Sequence, residues 1–553
     1  MASQPTDGKD DVRKTESPVP SAGVPDERTV LQTNAIVSSM VAQDTVPWYQ
    51  KRNLRMLYII FIPTCLGVEM TSGFDSSMMN GLQAVDSWDR FFNEPRSTLL
   101  GLMSAIYSLG AIAAVPFVPW VTDKFGRRFA IFFGSIIMIL GAVLQTASQN
   151  FVMFVMSRFI MGIGIVFAIV AASSLIGELS YPKERAIMGS LFNACWFIGA
   201  IAAAGTTLGT FRMSSTWGWR IPSVLQTFPS LLQILFIYFL PESPRWLIAK
   251  GRGTEAFEIL AKYHAEGDRD NELVKAEYVQ IETTLELEKQ TSKVGWRDLL
   301  KTSGMRRRLI IGAFLGLATQ WSGNGLISYF LARILDNVGI TNNRTKNIIN
   351  LANTCWGFFN ATILALTVSR FPRRTMYLAC TISLLLVFVG WTIASARYAI
   401  NNDDKAASKA VIAFIFLYSP CYNIAYNALT YTFLVELFPY HVRAKGITIF
   451  QTFSRCAGFF NQFVNPIGIE NVGWYFYLSY VGFLVFEVAF VFFLFPETQG
   501  KSLEELAFLF EKDEVRLQNE RVEQTMHAKG PVVPRDANID EEESPTSSSQ
   551  KKL

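Results

Sequence analysis

Gln320, Ser322, Gly323, Asn324 and Gly325 form a polar island inside an otherwise apolar run, Leu309–Leu331. The chemistry they offer is neutral recognition. A side-chain amide donates and accepts at once, which is what a hydroxyl-rich ligand requires. Amides at bilayer depth are costly unless they face a cavity or a ligand, and the two glycines admit a close neighbour, either a substrate or another helix. Helix–helix adhesion uses the same residue types, so the island alone fits both roles. Its place in the chain favours the ligand. The run opens the second of two similar halves, and many secondary transporters bind substrate near the midplane between repeats.

Such an island needs a membrane protein around it, and the composition provides one. Half of the 553 residues are hydrophobic and only 17% are charged, against roughly a quarter charged in a soluble domain; mean hydropathy is +0.24. Apolar runs near the ~20 residues of a spanning helix are Leu57–Met78, Leu99–Val121, Ala130–Ala147, Phe151–Leu175, Ile187–Leu208 and Ile221–Leu240 in the first half. The second half has Leu309–Leu331, Ile348–Val368, Met376–Ala394, Val411–Leu434, Ile447–Val464 and Trp474–Phe495. The expectation is an all-α polytopic protein: twelve transmembrane helices in two six-helix, pseudo-symmetric halves, 53–245 and 308–500. A polar interval, 246–307, links them, with a solvated helix over Asn271–Gln290. The tails, 1–52 and 501–553, are too polar to pack, and the first has no apolar core of a signal peptide.

Several function classes drop out. The net charge of +4 forms no basic stripe, so no nucleic-acid partner is expected. All six cysteines fall inside apolar runs and look like small core residues, not a disulfide or zinc framework. His264, His441 and His527 lie in loops or the tail, which predicts no buried imidazole. No catalytic cluster, cofactor or metal site is expected.

Short loops on one side carry Lys124, Arg127, Arg128, Lys183, Arg185, Arg370, Arg373, Arg374, Arg443 and Lys445. Basic residues on the other side nearly balance them, and Arg306, Arg307 and Arg308 tip the choice. Both tails and the central interval are then cytoplasmic, and the sequon at Asn343 lies outside, available for a sugar.

The charged loops recur across the halves. DKFGRR, 123–128, is echoed by SRFPRR, 369–374. Glu178 and Arg185 follow the fourth run as Glu436 and Arg443 follow the tenth, with the same spacing. PESPRW, with Glu242 and Arg245, follows the sixth run as PETQGK, with Glu497, follows the twelfth. Any one of these is an ordinary basic loop; paired across both halves they signal duplication.

With these motifs, and with ELFPYHVR and PETQGKSLEEL, the chain resembles the sugar porter branch of the major facilitator superfamily over roughly residues 55–510. GFDSSMMNGL, 73–82, and QWSGNG, 320–325, look most like fungal lactose and cellodextrin permeases. The resemblance implies the major facilitator fold, alternating access, a central sugar site, a plasma-membrane location and a functional monomer. It implies a cytoplasmic gate of Asp123, Arg127, Arg128, Glu178, Arg185, Glu242, Arg245, Arg374, Glu436, Arg443 and Glu497.

The family's sugar ligands map onto Asn193, Thr319, Gln320, Asn324, Tyr329, Asn353, Tyr431 and Ser454, with departures. One of a glutamine pair is Thr319, the asparagine position is Gly325 with Asn324 one residue earlier, and the eighth-helix position is Gly357, flanked by Asn353 and Asn360. A Gln-Trp pair is replaced by Ser454 and Arg455. The shorter side chains leave room for more than a hexose, and Arg455 would suit an anionic sugar. Asp75 and Arg158 match positions that face each other in proton symporters, with Glu69 a second candidate carboxylate. The function implied is sugar import by alternating access, with proton symport. A facilitative carrier, a non-transporting sensor and a drug-efflux antiporter are the alternatives.

Overall fold

A computed structural model describes residues 37–291, 300, 302–367, 370–438, 442–499 and 510. Most of the two tails, including Lys501, therefore lies outside the described residues, as does the side chain of Arg443. No strand occurs among the described residues.

Twelve spans follow one another. Nine are long and apolar enough to cross a membrane by length and composition among the described residues: Arg52–Leu82, Ser97–Phe125, Arg127–Thr146, Phe151–Leu179, Ile187–Thr210, Trp217–Phe239, Arg373–Ile400, Lys405–Leu434 and Gly473–Leu494. The other three are the seventh, eighth and eleventh. The eighth is the helix Asn343–Thr367, with buried Asn347, Asn350, Asn353 and Asn360, and the eleventh is Arg443–Asn471.

The seventh span departs from one continuous run. It is two helices, Ser303–Trp321 and Asn324–Asp336, broken at Ser322 and Gly323. Gly323 has φ +99°, a backbone region open to glycine and strained for other residues. The polar island is thus the break itself, and Phe330 adds a kink in the second piece. Irregular backbone at this depth is tolerated where it lines a cavity or is buried in protein. The tenth span carries a comparable irregularity, a π turn at Asn423–Asn427 after Pro420.

Close packing within a half rests on small residues. The first and fifth spans meet where a Cβ on Gly73 would lie 1.8 Å from the Trp196 carbonyl oxygen, and one on Gly199 would lie 1.8 Å from that of Met70. The halves touch through the second and eleventh spans, Gly101 against Phe463, and through the fifth and eighth, Phe197 against Gly357.

Polar bonds between the halves collect on the face opposite the DKFGRR loop, hereafter the opposite face; the other is the motif face. Gln83 Nε2 donates to the Tyr329 carbonyl at 2.6 Å, and Asn80 Nδ2 to Asn350 Oδ1 at 3.0 Å. Arg333 pairs with Asp89 at 3.2 Å, and Asn343 Nδ2 donates to Asp86 at 2.7 Å.

On the motif face the central interval forms helices Pro244–Ala249, Gly253–His264 and Glu272–Thr291. The expectation of no buried imidazole is overturned here. His264 is buried, with Nδ1 2.6 Å from Glu277 Oε2 and Nε2 3.2 Å from the Leu179 carbonyl oxygen. It ends its helix under the last turn of the fourth span, because Leu260, Ala261 and Val274 pack the interval's helices together. It lies beyond the spans, so it supplies no proton relay within them.

Candidate transport site

A cavity of about 200 Å³ lies between the halves. The first span contributes Glu69 and Ser77, and the fifth Asn193, Trp196 and Phe197. The seventh adds Asn324, Ile327 and Ser328; the eighth Asn350, Asn353 and Thr354; the tenth Tyr418, Ser419, Tyr422, Asn423 and Asn427. Amides and hydroxyls that both donate and accept alternate with aromatic faces. That set can hold a neutral polyol: hydroxyls bond the amides and C–H faces lie on rings.

Of the expected ligands, Asn193, Asn324 and Asn353 line this cavity, and the other five do not. Gln320 Nε2 instead donates to Ser454 Oγ at 3.3 Å, and its backbone carbonyl accepts from Asn461 Nδ2 at 2.8 Å. This side of the break joins the seventh span to the eleventh. Thr319 bonds its own helix at Gly316, and the Tyr329 hydroxyl accepts from Ser76 at 2.8 Å. Tyr431 accepts from Gln451 at 2.8 Å.

Sequence reasoning missed the tenth-span wall. Its signal was present: Tyr418, Tyr422 and Tyr426 recur every fourth residue, as do Asn423 and Asn427, which places each set on one helix stripe. Asn423 bonds Asn360, linking that wall to the eighth span.

Asp75 and Arg158 do face each other, and both side chains are fully buried. Arg158 donates from both terminal nitrogens to the two carboxylate oxygens at 2.9 and 3.0 Å, and from Nε to the Met103 carbonyl at 2.7 Å. Gln226 adds a further bond to Asp75 at 2.9 Å. The pair is therefore held by four hydrogen bonds away from the cavity, whereas Glu69 lines it. Arg455 of the eleventh span is near enough to act electrostatically on Glu69 and on Tyr431.

The repeated motifs build the same device twice. Glu242 accepts the backbone N–H groups of Arg127 and Arg128 at 3.1 and 3.2 Å, and Glu497 accepts those of Arg373 and Arg374 at 3.0 and 3.1 Å. Each glutamate thus satisfies the open N-terminus of a span. Arg127 pairs with Glu178 at 3.3 Å, and Arg373 with Glu436 at 3.5 Å. Gly126, at φ +97°, makes the turn in the first copy and Pro372, at φ −57°, in the second. These bonds run within a half, not between halves. Burial raises the Glu242 carboxyl pKa even though backbone donors from Ser243, Arg128 and Arg127 work against the rise.

The remaining gate candidates contribute differently. Asp123 is 76% exposed and 3.8 Å from Arg127. Arg374 donates to the Phe492 carbonyl at 2.6 Å, and Arg185 is exposed. Arg245 is engaged with a neighbour.

Residues 60–510 match the family described as Sugar (and other) transporter. The High-affinity glucose transporter 1 of Candida albicans is 28% identical over 83% of this chain and 86% of its own. The MFS-type transporter criB of Aspergillus cristatus is also 28% identical, over 79% of this chain and 90% of its own. Among solved structures, the XylE xylose transporter from E. coli, in a partially occluded inward-open conformation, superposes with a TM-score of 0.68 at 19% identity. That match covers 81% of this chain and 99% of XylE, and it shows the shared fold. The chain belongs to the Sugar (and other) transporter family, and it is a multi-pass membrane transporter, not an enzyme.

Proposed function

We propose that this member of the family imports a sugar across the plasma membrane by alternating access, coupled to proton symport. The observation that carries the reading is the asparagine- and aromatic-lined cavity between the halves. Its volume, about 200 Å³, is below the roughly 300–1,000 Å³ of drug-sized sites, and suits one sugar ring better than two. The glucose transporter of C. albicans supports a hexose. Asn193, Asn324 and Asn353 are the proposed ligands, Asp75 and Arg158 the proposed coupling pair, and the motif face the proposed cytoplasmic side with both tails. The carrier is proposed to act as a monomer, and Asn343, on the outer face, to accept a glycan.

A facilitative carrier is the second reading. The four bonds that hold Asp75 and Arg158 favour it, because a buried ion pair so fully bonded resists the separation that coupling requires. Uptake of labelled hexoses, pentoses, disaccharides and uronic acids in a transporter-null host tests the substrate class. Saturable hexose or pentose uptake supports the proposal; no uptake of any sugar by a surface-expressed chain overturns it.

A further inference from the structure

Glu487 is the one charged residue of the twelfth span, and it is completely buried. Its partners are two hydroxyls. Ser322 Oγ lies 2.8 and 3.1 Å from its two carboxyl oxygens, and Tyr426 Oη lies 3.1 Å from Oε2. Ser322 is the residue at the break of the seventh span, and Tyr426 sits in the π turn of the tenth. The glutamate therefore ties the break of the seventh span to the π turn of the tenth.

A count of hydrogens decides its protonation. Ser322 Oγ is also 2.5 Å from the Ala318 carbonyl oxygen, which can only accept. The serine has one hydroxyl hydrogen and the tyrosine has one. With an ionised Glu487, two hydrogens must serve three partnerships, so either Ala318 or Glu487 is left facing a bare serine oxygen. With a carboxylic acid, Ser322 donates to Ala318, Glu487 donates to Ser322, and Tyr426 donates to Glu487. Every partnership is then made. No lysine, arginine or histidine among the described residues pairs with it; besides Tyr426, Tyr418 and Tyr422 of the tenth span and Cys380 of the ninth are near enough to act on it electrostatically. An unpaired buried carboxylate is expensive, which points the same way.

We propose that Glu487 is a proton-binding site, distinct from Asp75, that holds the break of the seventh span against the tenth while protonated. Release of its proton leaves either the Glu487–Ser322 or the Ser322–Ala318 contact without a hydrogen, so proton loss is linked to rearrangement at the break of the seventh span. Glu487 is thus a positioning residue for transport. The inference rests on the transporter reading but not on the identity of the sugar.

Infrared difference spectra of the purified full-length protein between acidic and alkaline buffer test it without any substrate. A protonated-carboxyl carbonyl band is expected that survives in Asp75→Asn and Glu69→Gln and is lost in Glu487→Gln. In transport, the acid-to-alkaline uptake ratio of Glu487→Gln should fall measurably below that of the wild type, since glutamine keeps a donor at every pH while the Asp75 pair is left in place. Absence of the band from the wild-type protein, or its persistence in Glu487→Gln, overturns the proposal, as does an unchanged uptake ratio. Failure to transport sugar at all would overturn the sugar reading while leaving the spectral test intact.

Discussion

The two halves bury carboxyl groups in opposite ways. In the N-terminal half, Asp75 is paired with Arg158 and saturated by hydrogen bonds. In the C-terminal half, Glu487 meets hydroxyls alone, beside a broken helix and a π turn. A charge pair in a low-dielectric interior resists separation, because either partner left alone is costly. A neutral hydroxyl network exchanges partners more cheaply. The difference assigns rigidity to the first half and local rearrangement to the second, where the polar break also meets the cavity.

The most disruptive way to break this comparison is Arg158→Ala. It strands Asp75 without a cation, at a cost of roughly 3–5 kcal/mol, and the folded fraction in a detergent melting assay should drop sharply. A protein as stable as wild type would remove the rigid-half argument. Next come Glu242→Ala and Glu497→Ala. Each deletes two charge-assisted bonds to a span's N-terminus, so each should cost about 1.5–3 kcal/mol and lower the melting temperature to a similar extent. If one is silent, the two motif copies are not equivalent.

Smaller effects sharpen the contrast inside the C-terminal half. Asn353→Ala removes a cavity amide, and a loss of roughly 1–2 kcal/mol raises the apparent KM about five- to thirty-fold. Gln320→Ala should shift KM less, because that amide bonds Ser454 outside the cavity. The reverse order in an uptake titration would return Gln320 to the ligand set.

Much of this was legible from residue patterns, for identifiable physical reasons. Span lengths follow from hydrophobic thickness, and the duplicated loops follow from the need to cap the third and ninth spans. SRFPRR looks like a decayed copy of DKFGRR, yet both glutamates reach the same backbone groups, since a proline or a glycine can each make the turn. The ligand set was less accessible. Which face of the seventh span Gln320 takes is set by its packing on Ser454 and Asn461 of the eleventh span, a long-range contact that the local sequence does not signal. His264 was misread because its burial depends on the interval docking beneath Leu179, a long-range contact with no local pattern. Glu487 was overlooked although a lone glutamate in an apolar span is itself a signal.

The central claim is proton-coupled sugar import through the Asp75–Arg158 pair. Its most direct test is Asp75→Asn in sealed vesicles, with labelled sugar followed under a pH gradient and then at equal pH. The substitution removes the proposed coupling carboxylate while keeping a side chain of similar size. The account predicts that gradient-driven accumulation disappears while sugar exchange at equal pH persists. Accumulation that continues in the mutant would contradict it.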